Sequence, residues 1–157
     1  MSLAQLPELR ERGFVLVEDF HTLAPLDAWL QAYLQGPVRI VTAGLRAPEA
    51  GQGLQGLHQD FPRQAPGAPP SVLTCLLFLD DFGPDNGATG LIPGSHRWPQ
   101  ALPKSQQQPA AEHLDEIQLT GKANTALLLD GHLWHRGRAN HSGLPRRAVQ
   151  LQYALSR

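Results

Sequence analysis

Two histidines and one aspartate carry the chemistry that this sequence suggests most directly. His58 and Asp60 are separated by a single residue, and His135 follows much later in the chain. A His-x-Asp pair with a distant histidine is the sequence form of the two-histidine, one-carboxylate triad, which holds non-haem Fe(II) and leaves the remaining coordination positions open. Open positions admit a co-substrate and oxygen, so these residues predict an oxidising metalloenzyme.

The pair His58 and Asp60 needs an element that turns both side chains to the same side. Residues two apart in a β-strand share a face, so a strand would present both ligands together and turn Gln59 away. His135 must then come from a second strand. His132 would replace it only if that strand shifted by one residue, because the two histidines face opposite sides. On spacing alone, a histidine hydrogen-bonded to a turn aspartate stays open as the alternative.

The composition is that of an ordinary globular protein. The 157 residues are 41% hydrophobic and include 15 glycines and 14 prolines, which predicts one domain over residues 1–157 built from many short elements. A net charge of -1 indicates neither nucleic acid nor a membrane surface as partner. The single cysteine, Cys75, fits a reducing compartment. No apolar run approaches the ~20 residues of a membrane span, so we expect a soluble, cytoplasmic protein.

The elements that must position the triad follow from hydrophobic periodicity and turn residues. An apolar i, i+3, i+4, i+7 pattern predicts a helix from Leu26 to Leu34, after a shorter helix over residues 2–12. Apolar or alternating runs predict strands over residues 14–17, 38–41, 72–79, 126–129 and 148–155. Gly- and Pro-rich loops are expected at 43–56 and 61–70. Two helices followed by many short strands favour a β-sandwich or jelly roll with helices on one side.

Three sequence blocks, in matching order and at similar distances, resemble motifs of the phytanoyl-CoA dioxygenase family. They cover residues 57–60, 79–96 and 133–147. The resemblance implies a mainly β, double-stranded β-helix (a cupin-like jelly roll) with the two N-terminal helices packed on one sheet. It also implies Fe(II) held by His58, Asp60 and His135, with 2-oxoglutarate as co-substrate, O2 as oxidant and a small organic molecule as substrate.

The same resemblance assigns Arg146 to the distal carboxylate of 2-oxoglutarate, with Arg147 as the alternative. A guanidinium suits this task because its planar fork matches a carboxylate with two parallel hydrogen bonds. Strand parity distinguishes the two arginines, since Arg146 shares a face with Gln150 and Arg147 shares one with Leu151. If the apolar face packs under helices, the polar face lines the cavity, and Arg146 is the inward residue.

Two further residues bear on the expected reaction. Asp60 fills a coordination position that a halide would need, which favours hydroxylation over halogenation. Thr74 shares parity with Leu76 on a predicted buried strand. Thr74 therefore either faces the pocket and helps to hold the co-substrate, or is a core threonine with a satisfied hydroxyl.

The chain is short for this family, and two other functions stay open. One is a cupin-like metal-binding jelly roll of another activity, which would not need Arg146. The other is a non-catalytic remnant that binds a small molecule without turnover. The short connection before His58 predicts a wide pocket, covered by the loops at 43–56 and 61–70 or by a second copy of the chain.

Overall fold

The computed structural model describes residues 3–20, 26–65 and 67–156. Helix α1 spans Leu6–Arg12, after a 3-10 turn at Leu3–Gln5, and helix α2 spans Leu26–Leu34; a second 3-10 turn covers Ser95–Arg97. The strands are β1 (Phe14–Val17), β2 (Val38–Arg46), β3 (Val72–Phe78), β4 (Gly90–Leu91), β5 (Ile117–Gln118), β6 (Ala126–Asp130), β7 (His135–Arg136) and β8 (Ala148–Leu155). Both predicted helices are present, although residue 2 of the first lies outside the described residues.

The strands form two antiparallel sheets. The larger sheet has the order β1-β6-β3-β8-β2, and the smaller one has the order β5-β4-β7. Apolar residues from the inner faces of both sheets pack together, among them Leu127 and Phe78 of the large sheet and Leu91 of the small one. This layer between the sheets also contains the stacked rings of Phe78 and Phe82, whose centroids are 3.7 Å apart. The predicted mainly β architecture is therefore observed.

The two helices cover the outer face of the large sheet. Trp29, Leu30 and Tyr33 of α2 are fully buried against a cluster that includes Leu128 of β6 and Tyr153 of β8. Burying each such large side chain contributes roughly 1.5–3 kcal/mol, which is why the amphipathic pattern of α2 selects this face. The helices pack on one sheet as predicted.

Strand β8 turns its two faces to different environments. Leu151 and Tyr153 belong to the cluster under the helices, whereas Gln150 lines a cavity on the inner side. This confirms that the polar face of β8 is the inner one. The strand lies between β3 and the edge strand β2, so its inner side chains are held from both sides.

Several local predictions were incomplete or wrong. Strand β2 continues to Arg46, through residues predicted as loop, because it pairs with β8 along its length despite a register shift between Ile40 and Thr42. Strand β7 carries His135, as the triad required, whereas strands β4 and β5 were missed, since two-residue strands leave no periodicity to detect. His58 lies in an isolated bridge to His135 and Asp60 in a bend, so the strand predicted for this pair is absent.

No helix among the described residues combines the length and the apolar character that crossing a bilayer requires.

Candidate metal centre

The backbone brings His58 and His135 together directly. The His58 N–H donates to the His135 carbonyl at 2.9 Å, and the His135 N–H donates back to the His58 carbonyl at 3.0 Å. Asp60 follows two residues later. One potential ligand atom from each of these three residues lies within 4.8 Å of the other two. Across residues 3–20, 26–65 and 67–156, no other trio of His, Cys, Asp or Glu has such a convergence.

Each imidazole is oriented by a backbone carbonyl close to it in sequence. His58 Nδ1 lies 3.0 Å from the Gly56 oxygen, and His135 Nδ1 lies 2.9 Å from the Leu133 oxygen. A carbonyl can only accept, so both Nδ1 atoms carry the proton and both Nε2 atoms keep a free lone pair. This is the usual arrangement behind a metal-binding histidine, whose second nitrogen donates to a backbone or carboxylate oxygen.

The electrostatics favour an anionic carboxylate beside the imidazoles. Burial opposes ionisation of Asp60, but its pKa is held well below the usual range by hydrogen bonding to and the charge of His135, together with hydrogen bonds from Thr74 and Gln152. Burial, helped by the charge of His135, lowers the pKa of His58. Burial also disfavours a charged His135, but Asp60 outweighs that effect and raises the pKa of His135. The His135 Nε2 atom lies 3.5 Å from Asp60 Oδ1, so a lone pair and a carboxylate oxygen converge on one point, which suits a cation.

Thr74 supports the carboxylate from strand β3. Its hydroxyl donates to Asp60 Oδ2 at 2.6 Å, and the residue is 1% exposed. Thr74 therefore faces the pocket, as one of its two predicted placements requires. Its hydroxyl holds the carboxylate of Asp60, a potential ligand, in the orientation that leaves Oδ1 3.5 Å from His135 Nε2.

The three residues line a cavity of about 430 Å³ that also contains Thr74 and Arg146. Its inner wall is formed by side chains from β3 and β8. Its outer wall includes Leu45 and Leu54, which are exposed. The cavity can therefore take a small molecule beside the triad and is open to solvent on one side.

Arg146 is a buried cation with no acidic partner among the residues that the structure describes. It is 7% exposed, and its Nε atom makes no hydrogen bond to any residue that the structure describes. The guanidinium carbon lies 5.1 Å from the centroid of the Phe82 ring, and burial lowers the pKa of this arginine. A buried charge with no counter-ion is costly, so its place in the cavity fits an anionic ligand.

Arg147 is turned outwards and paired with Asp80. Its Nε and Nη2 atoms donate to the two oxygens of Asp80, at 2.9 and 2.8 Å, and its backbone N–H also donates to that carboxylate. The structure therefore separates the two arginines: Arg146 enters the cavity and Arg147 does not.

Residues outside the predicted set also contribute. Gln150 lines the cavity, and the Nε–H of Arg46 on β2 donates to the side-chain oxygen of Gln150. Gln59 was expected only to point away from the ligands, but its amide donates to the His132 carbonyl at 2.6 Å. The parity of β8 was a sufficient signal for Gln150. No pattern in the sequence indicated that Gln59 would contact the His132 carbonyl.

His132, the alternative to His135 as the third potential ligand, is not part of the triad. Its ring lines a separate cavity of about 440 Å³ beside Tyr33 and Asp130. The strand shift that would have made His132 a ligand is absent, because His135 pairs with His58 in the expected register.

Comparison with known sequences identifies the family to which this chain is similar. The sequence profile of the phytanoyl-CoA dioxygenase family (PhyH) matches residues 39–148. An uncharacterised protein of Mycobacterium tuberculosis, Rv1501, is 35% identical over 63% of this chain and 34% of its own length. The iron/alpha-ketoglutarate-dependent dioxygenase ausU of Aspergillus calidoustus is 30% identical over 77% of this chain and 41% of its own length. The chain thus spans about a third of the length of the curated relatives it matches first.

Solved structures share the fold. HygX from Streptomyces hygroscopicus, crystallised with nickel and 2-oxoglutarate, superposes with a TM-score of 0.78 at 14% identity, over 99% of this chain and 87% of that one. EvdMO1 has the same TM-score at 19% identity, over 98% of this chain and 50% of that one. These likenesses confirm the predicted jelly-roll fold.

Proposed function

The chain belongs to the phytanoyl-CoA dioxygenase family, and from that premise we propose that it is an Fe(II)- and 2-oxoglutarate-dependent dioxygenase that hydroxylates a small organic molecule. One observation carries the proposal beyond the family: Arg146, a buried arginine that has no counter-ion within the described part of the chain, lines the same cavity as a convergent His/Asp/His set. The name of the Aspergillus relative and the ligands bound to HygX support the choice of cofactors.

The residues of the cavity fit both groups. His58 and His135 present Nε2 lone pairs, and Asp60 presents a carboxylate, which together are the donor set of a facial triad with open positions. Arg146 would donate two parallel hydrogen bonds to the distal carboxylate of 2-oxoglutarate, which would give its Nε atom a hydrogen-bond partner. When bound, iron and 2-oxoglutarate supply oxygen activation coupled to oxidative decarboxylation.

The chain itself contributes placement. The carbonyls of Gly56 and Leu133 fix the imidazole planes, and the hydroxyl of Thr74 fixes the Asp60 carboxylate. We propose that Thr74 also lies against the bound co-substrate, since it lines the cavity between Asp60 and β8. Holding reactants in one geometry is the main protein contribution in cofactor enzymes of this kind.

Three broader features belong to the same proposal. We propose that residues 1–157 act as one domain and that a second copy of the chain, or the loop at 47–56, closes the open side of the pocket, which residues 47–48 and 52–55 already line. The described part of the loop expected at 61–70 lines the separate cavity beside His132, so that loop is not a cover for this pocket. The buried, unpaired Cys75 suits a reducing compartment, which supports a cytoplasmic location.

Anaerobic titration tests the proposal most directly. Adding Fe(II) and then 2-oxoglutarate to the folded chain is expected to produce the weak visible charge-transfer band of the chelate, and admitting O2 is expected to release succinate. A band without succinate would indicate a binding protein without turnover. A folded chain that binds iron without developing the band would indicate a metal-binding jelly roll of another activity.

A pair of neighbouring arginines provides a matched test of the co-substrate site. Arg146→Ala removes the partner of a buried carboxylate, a loss of about 2 kcal/mol or more, so the 2-oxoglutarate Kd should rise at least about thirtyfold. Arg147→Ala is the control, because that guanidinium is bound to Asp80 outside the cavity. Calorimetry in the presence of Ni(II) measures both. Equal 2-oxoglutarate affinity in the two variants would rule out Arg146 as the carboxylate partner.

A further inference from the structure

Two backbone contacts flank Asp60 where its segment runs beside the segment that carries His135, and a further one, from the Gln55 N–H to the Gly137 carbonyl at 3.0 Å, precedes them. The first is the reciprocal pair between His58 and His135, and the second is the Phe61 N–H, which donates to the Gly131 carbonyl at 3.1 Å. Between these points residues 59–60 face residues 132–134, so one side has an extra residue and the ladder is interrupted, as in a β-bulge. Asp60 lies inside this gap, in a bend.

The side chain of Gln59 crosses the gap. Its Nε2 atom donates to the His132 carbonyl at 2.6 Å. Gln59 lies between His58 and Asp60, and His132 precedes His135 by three residues, so this hydrogen bond joins the two segments that carry the potential ligands. The link stands where backbone pairing is interrupted. It therefore replaces the ladder contact that a continuous strand would have supplied.

The acceptor of this hydrogen bond is itself firmly held. The His132 N–H donates to Asp130 Oδ1 at 2.8 Å, and Asp130 Oδ2 accepts from the Tyr33 hydroxyl at 2.7 Å. Asp130 is 2% exposed and Tyr33 is fully buried in α2. Gln59 thus connects its segment, through the backbone of His132, to the packed interface between the helices and the large sheet.

We propose that Gln59 is a positioning residue that sets the separation of Asp60 from His135. The inference rests on the proposed function, because it assigns Gln59 a task at the metal centre. A strand would fix Asp60 by register, but no strand is present here. The Thr74 hydroxyl holds the far end of the carboxylate, and the Gln59 amide holds the backbone from which that carboxylate extends.

Three variants test this role with Co(II) as the probe. Gln59→Met keeps the length of the side chain and removes the donor, and Gln59→Asn keeps the amide but is one methylene too short to reach His132. Gln118→Met is the matched control: the Gln118 amide also donates to a backbone carbonyl, that of Pro84 at 3.0 Å, on strand β5. Co(II) affinity, the visible spectrum at saturating Co(II) and the thermal midpoint of the metal-free chain are measured for all of them.

Both Gln59 variants are expected to raise the Co(II) Kd about tenfold or more, as loss of a partner behind the ligands does elsewhere, and to change the spectrum of the bound ion. Gln118→Met should leave the Kd and spectrum unchanged. A Gln59→Met chain with parental Kd and spectrum, or an equal loss in Gln118→Met, would overturn the role of Gln59. Absence of Co(II) binding by the parent chain would instead overturn the proposed function itself. Because Gln59→Asn is the smaller change, it decides the question should Gln59→Met fail to fold.

Discussion

At the scale of single residues, hydrogen bonds fix the orientation of the three potential ligands of the candidate metal centre. His58 and His135 each use Nδ1 on a carbonyl two residues away, so the choice of tautomer is local. The carboxylate of Asp60 depends instead on the hydroxyl of Thr74, which lies on strand β3. The orientation of each imidazole is thus set by a neighbour in sequence, whereas that of the carboxylate is set by a tertiary contact.

Replacing Thr74 by Val tests the support of the carboxylate. The variant keeps the shape and removes the donor to Asp60 Oδ2, so the Ni(II) Kd should rise about tenfold. Thr74→Ser retains a hydroxyl and should stay close to the parent. Isothermal titration of Ni(II) measures both. A separate titration of 2-oxoglutarate at saturating Ni(II) tests whether Thr74 also contacts the co-substrate, in which case only the valine variant weakens that binding.

The pair formed by Asp80 and Arg147 predicts a pH dependence of stability. Hydrogen bonds from the Arg147 side chain and backbone lower the pKa of Asp80 to about 2, below the roughly 3.9 of an unfolded aspartate. A lowered folded-state pKa means that the ionised form stabilises the fold above pH ~4 and that this contribution is lost as the pH falls towards 2. The unfolding free energies of the parent and Asp80→Asn in urea should therefore differ at pH 6, and this difference should shrink to about half at pH 3 and disappear only below pH ~2.

The control for this comparison is Glu49→Gln, which removes an acid with no ion pair among the described residues. Its difference from the parent should stay small at both pH values. A gap between the parent and Asp80→Asn that persists unchanged at pH 3 would contradict the assigned pKa.

At the scale of elements, strand β6 joins the two packing layers of the molecule. It lies between β1 and β3, and its successive leucines point alternately to the helices and to the small sheet. Leu128 belongs to the cluster under α1 and α2, and Leu127 to the cluster between the sheets. The strand continues into Asp130 and then into the segment that ends at His135, so its packing also places a predicted ligand.

Truncation of Leu128 tests this packing. Leu128 is fully buried, so Leu128→Ala should lower the free energy of unfolding by about 2–5 kcal/mol through lost burial and a cavity. Leu114→Ala is the control, since Leu114 is fully exposed and its loss should change the value by less than about 0.5 kcal/mol. Urea denaturation followed by circular dichroism measures both. Similar small effects in the two variants would mean that the helices do not depend on β6.

At the scale of the whole molecule, the pocket lies between layers that are packed independently. The large sheet is covered by helices on its outer face, and the small sheet closes part of its inner face. The triad and Arg146 occupy the remaining space, where the outer wall is exposed. Ligands bound there join β3, β7 and β8, so their binding should stabilise the fold as a unit.

Thermal unfolding with added ligands measures this linkage. A ligand at 100 times its Kd stabilises the folded state by about 2.7 kcal/mol. For a chain of this size each kcal/mol raises the Tm by roughly 2–4 °C. Ni(II) alone should raise the Tm, and 2-oxoglutarate should raise it further. In Arg146→Ala only the Ni(II) increment should persist, and an unchanged 2-oxoglutarate increment there would contradict the proposed carboxylate site.

Much of the fold could be predicted from periodicity. The long elements, α2, β3, β6 and β8, bury whole faces, and such faces leave patterns of 3.6 or 2 residues in the sequence. The two-residue strands β4, β5 and β7 could not be found this way, because their pairing is decided by partners elsewhere in the chain. The continuation of β2 to Arg46 was missed for the same reason, since its pairing with β8 overrides its glycine.

The sequence by itself determined the family, the inward parity of Arg146 and which residue types are available as potential metal ligands, because these depend on residue identity and local spacing. Only the tertiary structure decided that Asp60 lies in a bend held by Thr74 and that Gln59 reaches His132. It also decided that Asp80 engages Arg147, while the Nε atom of Arg146 has no hydrogen-bond partner among the described residues. The physical reason is that each of these contacts joins residues far apart in the chain, and sheet register, which a linear pattern does not encode, sets which of them meet.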